Sequence, residues 1–460
     1  MKKPYRVIIW GPGEIGGAVV RAALKRDNIE LVGAKAFSPH KHGKDLGELA
    51  GIAPIGVRAT TSKAAILAME ADCVIVTPQP RSIVECLDND VIDILESGKN
   101  VVTSAAYHNV TMPNWLVSSQ TPTALLREIS RTNGVAQNRS ERLALKANSW
   151  MMDVAHSRLL KPFLPALLDR LLAPAMDRVF PLRATPERLQ AACRKGGTSL
   201  HGTGVHPTFM AERVGMTLAS ALEEVRHIRF VEAADFSYSP DGMWGGLKSL
   251  GFGCPLDELD TRFLIARAGD FYYGDVIGNA AHLLYGVPTS SVRVERSFRG
   301  IPADKDFKVG SVLIRKGTSA ALHMVHKGYI GDHHFFTNEE CWYLGPDKEY
   351  RGDKLPFGGF KTPISYTIEI TGKPANLKMQ LSMDGYGDDV EWMTDPAGNS
   401  TASMRCANAQ KARKAGITNP ITNATAMAIL DAVGPVCEAA PGVVIDDTRP
   451  GYRLDDRIPS

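Results

Sequence analysis

Cysteine is scarce and scattered: seven residues, Cys73, Cys86, Cys193, Cys254, Cys341, Cys406 and Cys437, with no C-x-x-C pair among them. An odd, unpaired set argues against a disulfide framework or a zinc knuckle, so a reducing, cytoplasmic home is expected. Neither sign of charge is in excess, with 53 Lys plus Arg against 50 Asp plus Glu and a net +3. That balance argues against a dedicated nucleic-acid or anionic-membrane binder. No run reaches the roughly 18 apolar residues of a membrane span, and Val7-Ile8-Ile9-Trp10 is too short for a signal-peptide core, so no membrane partner is expected. Internal repeats, low-complexity tracts, a Ser-His-Asp elbow and a G-x-x-x-x-G-K-[ST] loop are also missing, which leaves hydrolases and nucleoside triphosphatases without support. What remains is a 460-residue chain, 44% hydrophobic and 22% charged, the composition of a globular protein with two domains.

The strongest signal lies at the start. Arg6 to Trp10 reads as a buried strand, Gly11-Pro12-Gly13-Glu14-Ile15-Gly16 follows at once, Ile15 to Lys25 has helical apolar spacing, and Glu30 to Ala34 reads as a second strand. A G-x-G-x-x-G set between strand and helix is the corner that holds a dinucleotide. Gly11 makes the turn, Gly13 lets the backbone approach a pyrophosphate, and Gly16 lets the helix pack on the strand. The anion rests on the unpaired amides and positive end of that helix. Further alternation follows: strand Asp72 to Thr77, helix Ser82 to Ser97, strand Asn100 to Ser104. The fold class is therefore α/β, with an N-terminal Rossmann, doubly wound parallel sheet. Ligands gather at the carboxyl ends of such strands, so Thr77, Pro78 and Gln79 together with Thr103, Ser104 and Ala105 are expected to line the cofactor.

An NAD site usually has an acid at the end of the second strand, for the ribose hydroxyls. Here Ala34-Lys35-Ala36-Phe37-Ser38-Pro39-His40-Lys41 has none before Asp45. Ser38, His40 and Lys41 suit a 2′-phosphate, so NADP is the preferred cofactor and NAD the alternative; Lys41 and Lys44 also fit plain surface charge.

Beyond residue 114 the text changes. Leu143 to Asn148 and Leu159 to Leu172 read as apolar helix broken by Pro162, Pro165 and Pro174. Period-two alternation from Val309 to Ile314 and Tyr366 to Ile370 marks strands, and Ala424 to Val433 and Gly442 to Ile445 read as a last helix and strand. The expected organisation is a Rossmann domain at 1–114, a helical insertion at 115–185, a second α+β sheet domain at 186–400 for substrate and dimer contacts, and a segment at 401–460 returning to the first domain.

These residues resemble a family. Val7 to Gly16, then Glu30-Leu31-Val32-Gly33 with His42 to Leu49, and above all Leu200-His201-Gly202-Thr203-Gly204-Val205-His206-Pro207-Thr208-Phe209, are similar to the dihydrodipicolinate-reductase-like oxidoreductases that include 2,4-diaminopentanoate dehydrogenase and the native amine dehydrogenases. Thr208 replaces a glycine of the family's turn. The resemblance is close over roughly residues 1–112 and 186–280 and faint in the insertion. It implies hydride transfer between a nicotinamide and a C=N or C=O bond, a small-molecule substrate, and a homodimer or higher homo-oligomer formed through the second sheet. One departure matters. Where the amine dehydrogenases carry a base glutamate after the strand ending at Ser104, this chain reads Ala105-Ala106-Tyr107-His108-Asn109. Without that carboxylate, reduction of a neutral, fairly apolar carbonyl or imine is favoured. An amine dehydrogenase with another base, or a redox-silent dinucleotide-binding protein, is the alternative.

Reduction needs a proton as well as a hydride. His206 is the first candidate, because its turn should lie beside the nicotinamide; a structural histidine ahead of Pro207 is the competing reading. Tyr107 and His108 are further proton-donor candidates, and His201 reads as a strand-end residue. His323 and His326, with His333, His334, Glu339 and Glu340 nearby, raise the question of metal. On a strand His323 and His326 point to opposite faces, so no metal site is expected. Trp244, Phe252, Trp342, Tyr343 and Tyr366 fit a core better than a pocket wall.

Overall fold

In the computed structural model of the chain the described residues are 3–78, 87–105, 107, 186–236, 247–260, 263–309, 312–344, 364–383, 390–394, 400–404 and 420–445. The expected helices of the insertion, with Gln79, His108 and Trp244, lie outside them.

Six strands from the first half of the chain, β1 (Tyr5–Trp10), β2 (Ile29–Lys35), β3 (Ala59–Thr60), β4 (Cys73–Val76), β5 (Asn100–Thr103) and β6 (Ser199–Gly202), join the last one, β17 (Gly442–Val443), in a seven-stranded sheet. Its order is β17-β6-β5-β4-β1-β2-β3, and every pair is parallel. Helices cover both faces, which is why β1 is an unbroken apolar run: Val7, Ile8, Ile9 and Trp10 are all fully buried. On one face Val7 and Ile9 meet Val19 and Val20 of α1 (Glu14–Ala23). On the other, Ile8 and Trp10 lie in one cluster with Leu95 of α2 (Leu87–Glu96) and Leu189 of α3 (Pro186–Gly196).

Helix α3 and strand β6 correct the expected boundary at 186. They belong to the parallel sheet, and the chain leaves it only after Gly202. The sequence hides this because β6 is the short, polar-looking Ser199-Leu200-His201-Gly202, whose burial comes from its neighbours rather than its own composition.

The second domain is a six-stranded sheet of β7 (Glu224–Asp235), β8 (Val292–Pro302), β11 (Ser319–Ile330), β12 (His333–Tyr343), β13 (Ile364–Lys373) and β14 (Leu377–Met383), ordered β14-β13-β7-β12-β11-β8. Its central pair, β7 with β12, is parallel and the others are antiparallel. Short hairpins, β9 (Phe307–Val309) with β10 (Val312–Ile314) and β15 (Val390–Thr394) with β16 (Ser400–Met404), stand apart. The pairing of β9 with β10 corrects the single strand expected from Val309 to Ile314: Val312 stands opposite Val309 in an antiparallel ladder, which period-two alternation does not reveal. Helix α4 (Leu264–Tyr285) covers the face of the sheet that holds Phe336 and Met324.

Helix α5 (Pro420–Glu438) returns to the first domain. Its Ile429, Leu430 and Val433 share the core of α1, and Tyr5 donates to Glu438 Oε1 at 2.7 Å. No helix among the described residues is long and apolar enough to cross a membrane.

Candidate active site

The three glycines of the first corner separate by what surrounds them. Gly11 has φ +99°, and a side chain there would stand 2.6 Å from the Thr77 carbonyl oxygen. At Gly16 it would stand 2.4 Å from the Gly11 carbonyl oxygen and 2.9 Å from Thr77 Oγ1. Both glycines are thus required by the protein's own packing, which Thr77 tightens by donating from Oγ1 to Gly11 O at 2.6 Å. Gly13, with φ −98°, is different: a Cβ would meet nothing nearer than Gly11 O at 4.0 Å. The space above Gly13, at the start of α1 with no side-chain cap, fits a pyrophosphate lying on the helix amides. Glu14 and Ile15 open that helix.

At the end of β2, Lys41 Nζ donates to Pro12 O at 3.0 Å, so its charge stands over the glycine turn. Ser38 is half-buried and His40 exposed. A second cation escaped the sequence reading: Lys35 is only 6% exposed, donates to Ala36 O at 2.9 Å, and lies 4.4 Å from the Phe37 ring centre. Asp45, the first acid after β2, is committed elsewhere, since its carboxylate accepts from the backbone amides of Gly47, Ile55 and Gly56 at 2.7, 2.9 and 2.8 Å.

Pro78 follows Thr77 at the end of β4. At the end of β5, Thr103 is buried, donating to Val76 O at 2.8 Å and accepting from Ala105 N at 3.0 Å. Ser104 O accepts from the Tyr272 hydroxyl of α4 at 3.0 Å. Tyr107 lies 3% exposed in the cluster of Val74, Leu95 and Leu200, its carbonyl accepting from Gly202 N at 3.2 Å. His201 serves the fold: Nδ1 lies 2.8 Å from Val444 O beyond β17, and burial lowers its pKa to about 4.

Tyr273, next to Tyr272, leads from Ser104 to a buried polar cluster in the second sheet. Gly204 ends the turn after β6, and His206 follows in extended conformation (φ −133°, ψ 133°). Its ring stacks on Phe230 at 4.5 Å and meets Tyr273 at 5.4 Å and Tyr366 at 5.8 Å. His206 Nε2 lies 2.8 Å from Glu340 Oε1, with the two side chains 5% and 1% exposed. Glu340 on β12 stands directly opposite Glu232 on β7, and Tyr366 on β13 opposite Glu232 in turn. Trp342 Nε1 donates to Glu232 Oε1 at 2.8 Å and Asn338 Nδ2 to Glu340 Oε1 at 2.7 Å. Burial, then the mutual repulsion of the carboxylates, pushes Glu232 up to about 8; burial likewise pushes Glu340 up to about 8. Burial lowers His206 to about 4. Burial thus drives all three groups toward their neutral forms.

Glu232 was missed by sequence reasoning, and Glu340 entered it only as a neighbour of the histidines considered for metal. The available signal was Glu339-Glu340 inside an apolar strand, where neighbours alternate faces and one of two adjacent acids must turn inward. Glu339 takes the other face, pairing with Arg229 at 2.8 Å and His323 at 3.4 Å. His326 turns to α4 and Asp270 at 3.0 Å, so His323 and His326 do point apart. Donor atoms of His206, Glu232 and Glu340 lie within 4.8 Å of one another, close enough to consider an ion. The 2.8 Å between His206 Nε2 and Glu340 Oε1 is a hydrogen-bonding distance. Phe252, Trp342, Tyr343 and Tyr366 are all buried in the core of this domain.

Residues 5–104 match the family described as dihydrodipicolinate reductase, N-terminus. A solved amine dehydrogenase from Mycobacterium smegmatis is similar over 98% of this chain and 97% of its own, with TM-score 0.57 and 16% identity, a likeness of fold. GenD2 from gentamicin A biosynthesis, solved with NAD, gives TM-score 0.43 at 13% identity over 96% of this chain and 90% of its own. Biliverdin reductase from Synechocystis sp. PCC 6803, solved with biliverdin and NADP+, gives 0.42 at 10% identity over 94% and 90%. No curated protein matches the chain. With the glycine corner, the parallel sheet and the matched domain together, the chain is an NAD(P)-dependent oxidoreductase. Its N-terminal domain is of the dihydrodipicolinate-reductase type.

Proposed function

We propose that the protein is an NADP-preferring oxidoreductase that transfers hydride to or from a small-to-medium, fairly apolar carbonyl or imine, with His206 handling the proton. The observation that carries this reading is the place of His206. It sits in a buried aromatic box on the turn leaving β6, beside a carboxyl pair, and Tyr273–Tyr272 joins that box to Ser104 at the end of β5. When bound, the nicotinamide coenzyme supplies the hydride. Gly13 and the first turn of α1 would hold its pyrophosphate; Thr77, Pro78, Ser104 and Ala105 would border the nicotinamide. NADP is favoured over NAD because Lys41 and Lys35 are the charges at the end of β2, while the Asp45 carboxylate is taken by three backbone amides. Around the substrate, Phe230, Tyr273 and Tyr366 exclude water and favour an apolar body.

A second reading, amine dehydrogenation, gains from Glu232 and Glu340: a carboxyl pair does stand near the site, although not where the family's glutamate would be. Consumption of NADPH against a carbonyl panel, with and without ammonium, separates the two. Turnover without ammonium is expected; turnover only with ammonium establishes the second, and no turnover on any member supports the redox-silent alternative. A cytoplasmic homodimer or larger homo-oligomer completes the proposal, and light scattering on the purified chain tests the assembly.

A further inference from the structure

Glu232 and Glu340 face each other in the second sheet, buried, and the donors that reach them are neutral: the Trp342 indole and the Asn338 amide. Other groups facing the pair are His206 from the turn after β6, Tyr273 from α4 and Tyr366 from β13. Past Tyr273 lie His326, Asp270 and Arg296, the Asp270 carboxylate being shared by the other two. Two carboxylates this close in an apolar box do not both carry charge without a partner cation, so the pair holds at least one proton. His206 Nε2 touches that pair, whereas its Nδ1 is buried with no hydrogen-bond partner in the protein's described residues.

We propose that Glu340, backed by Glu232, is the proton source for the reaction, and that His206 passes the proton by exchanging tautomers without becoming an imidazolium. This rests on the oxidoreductase reading above. In the resting state the Glu340 O–H donates to Nε2, and Nδ1–H donates to the substrate's carbonyl oxygen or imine nitrogen. With hydride supplied to the substrate carbon by the reduced nicotinamide, the Nδ1–H bond breaks and its proton goes to oxygen or nitrogen. Nε2 takes the proton of Glu340 at the same time. The products are the alcohol or amine, oxidised coenzyme, a Glu340 carboxylate and a neutral His206 carrying its one proton on Nε2; after product leaves, a solvent proton taken up at Nδ1, with the Nε2 proton returned to the Glu340 carboxylate, restores the resting state. Oxidation is the same path reversed. The directions agree, since burial raises the Glu340 carboxyl and lowers the His206 imidazole, as a neutral relay requires. Glu340 acts through His206 and is a positioning and proton-storing residue; the group that touches substrate is His206.

The test has two readouts. In stopped-flow single turnover, Glu340→Gln is expected to slow hydride transfer about 100-fold or more while leaving the Kd for NADPH unchanged, the range of a lost general acid. The alkaline fall of the wild-type rate should vanish with it. Glu232→Gln should retain the rate at low pH and move that alkaline fall to lower pH, because a neighbouring negative charge is gone. Infrared spectroscopy of the coenzyme-free protein should show a carboxylic-acid carbonyl band at pH 7 that is diminished in each glutamine variant. A wild-type rate and pH profile in Glu340→Gln would overturn the relay. So would absence of the carboxylic-acid band in the wild type, or wild-type activity abolished by a chelator and restored by zinc, which would put a metal ion in place of the proton. If no substrate is turned over, the functional reading falls while the infrared band still decides whether the pair is protonated.

Discussion

Gly13→Ala and Gly16→Ala should do opposite damage, although the two glycines look alike in the sequence. At Gly16 the added carbon stands 2.4 Å from the Gly11 carbonyl oxygen and 2.9 Å from Thr77 Oγ1. Relief requires α1 to move roughly 1 Å off β1, an overpacking that costs about 1–3 kcal/mol. For a domain of this size that is a fall in Tm of roughly 2–12 °C. At Gly13 the nearest protein atom is 4.0 Å away and φ is −98°, open to any residue. Stability should change by no more than about 0.5 kcal/mol. The same methyl group occupies the approach to the amides of α1, and losing two hydrogen bonds to a charged phosphate costs about 3 kcal/mol or more. That weakens NADPH by about 100-fold. Thermal denaturation gives the first quantity and titration calorimetry with NADPH the second. If Gly13→Ala binds NADPH within about threefold of wild type, the corner does not hold a pyrophosphate and the assignment of the site fails.

Three further outcomes follow from the same contacts. Lys41→Asp should weaken NADPH about tenfold or more and favour NADH, read as the ratio of the two Kd values; an unchanged ratio removes Lys41 from the site. Asp270→Asn removes the buried carboxylate that Arg296 and His326 share, and should cost about 1–3 kcal/mol in urea unfolding; Asp270→Leu combined with Arg296→Met should recover much of it. His201, held near 4 by burial against an ordinary 6.5, stays neutral in the fold but binds a proton when unfolded. Stability is therefore full above pH 6.5 and falls as pH drops toward 4, by up to ~3 kcal/mol for this residue. Urea unfolding of His201→Gln at pH 7 and pH 4.5 should show a correspondingly smaller acid loss; an identical loss would mean that His201 is not the group titrating.

The parallel sheet was legible because its information is local: strand, glycine turn, helix and strand follow one another, and the Val7–Trp10 run announces burial on both faces by composition alone. What stayed hidden is non-local. The contact between His206 and Glu340 joins residues 134 positions apart, and that between Trp342 and Glu232 joins residues 110 apart. Both depend on the register of β7 against β12, a parallel pairing that no hairpin turn fixes. A slip by one residue would turn Glu232 to the opposite face of the sheet and take the acid out of the box around His206. After Ser104 the chain reads Ala105-Ala106-Tyr107-His108-Asn109 with no carboxylate, yet a sequence argument from one strand is narrow, because acid–base capacity can be supplied by another sheet. On the relay proposed above, reaction class is set by the protonation of a pair built from tertiary register. The choice between a neutral carbonyl and a cationic amine then turns on pH as much as on side-chain identity, since a deprotonated pair would receive a cation and a protonated one would not.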